Sequence, residues 1–172
     1  MALRGPGYEV GLSGHHGAWD NAGDLDLTQV VLDGEWSPRA IQGLEDHWVG
    51  GFRWQGEAAW SDIDRDAAAV AGGVPASADG FYTQVEYFFG APEAWTAGTD
   101  PVIEPGGGFG LVHRYGRIDL DGATRSRNAV GLFFRPNLDR TIIKFEYQWN
   151  IEGGSTADEA NDGFVASIAT YF

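Results

Sequence analysis

Between residues 141 and 151 the chain alternates with a period of two. Thr141, Ile143, Phe145, Tyr147, Trp149 and Ile151 fall on one face of an extended segment, and Ile142, Lys144, Glu146, Gln148 and Asn150 on the other. One face carries the apolar bulk and the other is mostly polar. The same pattern runs upstream through Val130, Leu132 and Phe134, and Pro136-Asn137 breaks it as a turn does. Downstream, Phe164, Ala166, Ile168 and Phe172 alternate with Val165, Ser167, Ala169 and Tyr171.

Taken from the start, the alternation predicts strands over 8–17, 25–36, 48–60, 81–89 and 109–120, followed by the three just described. Each is close to the roughly 9–11 residues that a tilted membrane strand needs. In the third, Trp48, Phe52, Trp54 and Trp60 oppose Arg53, Gln55, Glu57 and Ser61. The connection 37–46 contains a short helix-capable run, 61–80 reads as an acidic loop, and Pro92, Pro101 and Pro105 exclude a central strand from 90–107. The expected fold class is all-β: an antiparallel transmembrane β-barrel of about eight strands, or the C-terminal part of a larger one. Large aromatics on an exposed face are an aggregation liability in water but form an interfacial belt in a bilayer.

With 172 residues the chain reads as one domain, 1–172. Its 11 Lys+Arg against 25 Asp+Glu give a formal charge of −14, which argues against nucleic acid as a partner, because phosphate binding needs clustered cations. There is no Cys, hence no disulfide and no thiolate metal site. No apolar run is long enough for a spanning helix, and the first residues lack the apolar core of a signal peptide. An outer-membrane protein needs such a signal, so the sequence is expected to be a mature or expressed form, or the downstream part of a longer chain.

Candidate chemistry is sparse. His15, His16, His47 and His113 have no metal-ligand spacing, and Asp62, Asp64 and Asp66 lack the glycine and distal Glu of a calcium loop. Ser13 near His15 has no assignable third group to orient a base. The expectation is therefore no catalytic residue, no metal and no cofactor. Gly34-Glu35-Trp36 is the G-x-W of lipocalin-like barrels, which makes a soluble barrel with its apolar face turned inward around a small apolar ligand the alternative.

Several segments together resemble the C-terminal half of the phosphate-selective porin O and P family. They are Gly80-Phe81-Tyr82-x-Gln84-x-x-Tyr87-Phe88, Phe109-Gly110 with Arg114-Tyr115-x-Arg117-Ile118-Asp119-Leu120, Gly131-Leu132 before Pro136-Asn137, and Lys144-Phe145-Glu146-Tyr147. The resemblance implies a sixteen-stranded, homotrimeric barrel in the bacterial outer membrane that passes small hydrophilic solutes or ions. It also makes Phe172 the signal recognised by the barrel-assembly machinery. On that reading Arg53, Glu57, Glu86, Arg114, Arg135, Lys144, Glu146 and Gln148 line the pore, and outer-membrane lipid covers the aromatics. The mixed charge of that set argues against phosphate selectivity, and the acidic excess in loops at the mouths predicts weak selectivity or a preference for cations. A closed eight-stranded barrel would pair residues 8–13 with 164–169; the downstream half of a larger barrel, the expected case, would not.

Overall fold

The computed structural model describes residues 1–20, 23–38, 51–89, 108–136, 141–153 and 161–170. They form one antiparallel sheet of nine strands: β1 (Ala2–Gly5), β2 (Tyr8–Ala18), β3 (Asp26–Trp36), β4 (Phe52–Ile63), β5 (Ser77–Phe88), β6 (Gly108–Leu120), β7 (Ala123–Arg135), β8 (Thr141–Gly153) and β9 (Gly163–Thr170). Each strand pairs with its neighbours in sequence, so the topology is a plain up-and-down meander. Successive connections therefore alternate between two ends of the sheet. One end carries Asp20, Asp64 and the Asp121-Gly122 turn, the other Pro136.

All eight expected strands are present, with adjusted limits. β4 runs on to Ile63 and β5 begins at Ser77, so the expected loop 61–80 shrinks, and its centre holds a short helix α1 (Ala67–Ala71) capped by Asp66, whose side chain accepts from Ala69 N. β7 starts at Ala123, because Asp121 and Gly122 both adopt positive φ (53° and 84°) and turn the chain within two residues. Asp-Gly favours such a primed hairpin turn, whose twist matches that of the strands. The ninth strand, β1, was not expected. Pro6-Gly7, with Gly7 at φ 76°, folds residues 2–5 back onto β2. The expected start of the third strand at Trp48, the helix-capable run from Ala40 to Leu44, Asn137 and Phe172 lie outside the described residues.

The sheet is curled. Lys144 on β8 and Glu86 on β5 lie three strand steps apart, about 14 Å across a flat sheet. Yet Lys144 Nζ and Glu86 Oε1 are 4.0 Å apart, so the face carrying both is concave. Among the described residues the curl does not close: β1 and β9 each have one paired neighbour and do not pair with each other, and no bonding joins 8–13 to 164–169.

The two faces differ in chemistry. Along the convex face, register aligns Phe52, Tyr87, Leu111, Leu132 and Phe145 in one row, and Trp54, Val85, His113, Val130, Tyr147 and Phe164 in the next. Most of these are exposed, Phe145 by 58% and Leu132 by 56%. Toward the Asp121 end the rows turn polar, through Asn128 and Ser126 to Asp79, Asp119 and Thr124. Trp54 lies across Gly34 and Gly56 of this face, and its Nε1 donates to Thr83 Oγ1 at 2.8 Å. The indole covers what the two glycines leave bare.

The concave face carries a small apolar core at the Pro136 end. Val112, Phe133 and Ile142 are buried there, with Phe88 stacked on Phe133 at a centroid distance of 6.2 Å. Gly110 makes room for the Phe133 ring, which a Cβ would strike.

Candidate functional site

Above that core, toward the Asp121 end, the concave face is ionic. Gln84 is 3% exposed, Glu86 8% and Glu146 7%. Such burial is tolerated only where the groups are paired, because an unpartnered buried charge is costly. Pairing runs along most of the band; Glu146 Oε1 has no hydrogen-bond partner among the described residues and meets Arg114 only at ion-pair distance. Arg53 on β4 grips Glu35 on β3 through two bonds, Nε to Oε1 and Nη2 to Oε2, both 3.0 Å. Its Nη1 also approaches Glu86 Oε2 at 3.8 Å, and Lys144 approaches the other oxygen of that carboxylate. Gln84 donates to Glu86 Oε1 at 2.8 Å and accepts from Arg114 Nε at 2.8 Å. Arg114 Nη2 in turn lies 3.9 Å from Glu146 Oε1.

Glycine makes the last contact possible. Glu146 folds over Gly131 to reach β6, and a Cβ on Gly131 would stand 2.6 Å from both Glu146 Cγ and the Phe145 carbonyl oxygen. The result is a band of alternating charge across β3 to β8, with a neutral amide, Gln84, between Glu86 and Arg114.

Nearer the Asp121 end the concave face opens into a cavity of about 620 Å³. Register sets Glu57, Tyr82, Gly116, Arg127 and Asn150 in one row and Ala59, Gly80, Ile118, Arg125 and Glu152 in the next, and most of these line it. Arg127 Nε donates to Asn150 Oδ1 at 2.7 Å, and Arg125 Nε lies 3.8 Å from Glu152 Oε1. Residues 161 and 162, just before β9, border one side, with Asn161 O accepting from Asn150 Nδ2 and Asp162 Oδ1 from Asn150 N.

No family model, curated protein or solved structure matches the chain. The fold and its two faces therefore carry the functional argument alone. No helix among the described residues is long and apolar enough to cross a membrane, which says nothing about crossing by strands.

The residues expected to line a pore all alternate onto the concave face, but in different settings. Arg53, Glu86, Arg114, Lys144 and Glu146 form the ionic band, with Gln148 beside Arg114 and Ala129 in register. Glu57 borders the cavity, and Arg135 sits at the far end with its guanidinium 5.8 Å from the Phe133 ring. The expectation omitted Glu35, Arg125 and Arg127. The arginines were missed because the sixth strand was started near Asn128, although the alternation Arg125, Arg127, Ala129 continues it back to the Asp-Gly turn. The histidines and aspartates do not assemble into a metal-binding group among the described residues. His16 instead bonds Thr28 Oγ1 at 3.0 Å, and Asp64 donates its backbone N–H to Asp26 O.

Proposed function

We propose that this chain is an outer-membrane porin, or part of one, in which lipid covers the convex face and the concave face forms the wall of a path for small hydrophilic solutes or ions. The supporting observation is the sidedness of the sheet: exposed aliphatic and aromatic rows outside, paired charges inside. Water would not favour that arrangement, because the exposed rows form one contiguous apolar surface. A hydrocarbon core would, because it has no hydrogen-bond partner to offer a charge. From Phe52 to Trp60 the convex side of β4 spans nine residues, within the reach of a tilted membrane strand. Trp60 and Trp149 near the Asp121 end, and Tyr8, Trp36 and Phe109 near the other, suit the two aromatic girdles of such barrels.

The lipocalin-like alternative needs the aromatics inside and the charges outside, and the sidedness weighs against it. In the proposed setting the ionic band presents both signs to a passing solute, and the acidic end faces the cell exterior. A homotrimer would complete the particle, as the family resemblance implies. The test is reconstitution. The protein should need detergent or lipid to stay monodisperse, and should produce stepwise conductance in a planar bilayer. A chain that is monodisperse in buffer and silent in bilayers would refute the proposal.

A further inference from the structure

The cavity beside the ionic band holds one ion pair, Arg125 with Glu152, and one pair of opposed charges that do not meet each other. Glu57 on β4 and Arg127 on β7 lie in one register row, with Tyr82 and Gly116 between them. Among the described residues neither Glu57 nor Arg127 forms an ion pair within 4 Å; Arg127 donates from Nε to Asn150, and both residues line the cavity. Gly116 has no side chain, so the floor between the two charges is low and is shaped by the Tyr82 side chain. Arg125 lies one row further on the same strand, where Glu152 engages it at 3.8 Å, so Arg127 is the cavity's available guanidinium.

We infer that this cavity binds a small zwitterion, an amino acid or short peptide, with its carboxylate on Arg127 and its ammonium on Glu57. A guanidinium presents a fork matched to a carboxylate, and a carboxylate accepts the three donors of an ammonium. The volume of about 620 Å³ admits a solute of that size. A simple anion would satisfy Arg127 but face Glu57, and a simple cation would meet the reverse mismatch. The inference rests on the reading of the concave face as a solute path and names the solute class that path would favour.

Isothermal titration of the detergent-solubilised protein with alanyl-alanine, acetyl-alanyl-alanine and alanyl-alanine amide tests it. The free dipeptide should bind at least about tenfold more tightly than either capped form, each of which loses one charge-assisted contact. Glu57→Gln should weaken the free dipeptide by about the same factor and bind the acetylated one at least as tightly as before; Arg127→Gln should spare only the amide. Because the spared capped peptide reports an intact fold, loss of all binding in a variant would overturn the assignment, as would equal affinity for the three ligands. Bilayer conductance without dipeptide binding would overturn this inference and leave the pore proposal standing; binding without conductance would do the opposite.

Discussion

At the scale of single residues, Gly131 is where the ionic band depends on a missing side chain. Gly131→Val would drive a branched carbon against Glu146 and the backbone of β8, so unfolding in detergent should show a loss of about 1–3 kcal/mol, the usual range for overpacking. Gly153, whose Cβ would meet nothing within 4 Å, is the control; Gly153→Ala should change stability by well under about 1 kcal/mol. Asp121 works through its charge. Its carboxylate accepts from Ala76 N and Ser77 N and lies 3.3 Å from Arg65, fastening the β6–β7 turn to the start of β5. Those backbone donors first, then Arg65, hold its pKa below the ordinary 3.8. The contribution is complete above that ordinary value and is lost as pH falls through the lower, folded value. Amide exchange at Ala76 and Ser77, taken relative to the intrinsic rate at each pH, should therefore stay slow at pH 5 and accelerate only below the ordinary value, and Asp121→Asn should abolish that dependence. Acceleration beginning well above that value would disprove it.

At the scale of the strand, alternation assigns opposite fates to neighbouring positions. Leu132 on β7 and Gln148 on β8 sit on opposite faces of adjacent strands. If lipid covers the convex face, Leu132→Arg should cost about 2–4 kcal/mol in bilayers, the penalty for a cation near the membrane midplane. Gln148→Arg, on the concave side, should cost less than about 1 kcal/mol. Guanidinium titration from lipid vesicles measures both, and equal costs would argue that lipid does not distinguish the two faces. The apolar rows of β4, β5 and β8 were legible because period two is strong there. β1 was overlooked because four residues offer little periodicity, although Pro6-Gly7 was a visible turn signal.

At the scale of the molecule, charge is distributed unevenly. On the concave face Arg53, Arg114 and Lys144 meet Glu35, Glu86 and Glu146, leaving that band near neutral. Among the described residues the acidic excess gathers at the Asp121 end instead, in Asp20, Asp24, Asp26, Asp62, Asp64 and Asp79 among others. A pore with such a mouth should favour cations at low salt, within a screening length of about 10 Å at 0.1 M, and lose the preference near 1 M, where that length falls to about 3 Å. Reversal potentials in salt gradients at both strengths check this. An anion preference would mean that the arginines of the cavity dominate the acidic rim.

The sequence alone determined which residues share a face, because in an extended chain that follows from parity, and parity follows from covalent geometry. It also determined the class of the fold, since alternating segments separated by turn residues admit little besides an antiparallel sheet. Only the tertiary structure decided how the sheet bends. Curvature brings Lys144 to Glu86 across three strand steps, and leaves Glu57 and Arg127, three steps apart in their own row, to border one cavity with no ion-pair partner for either among the described residues. Those distances depend on accumulated twist and on where glycine lets a side chain lie flat, and neither quantity is a property of any one strand's pattern.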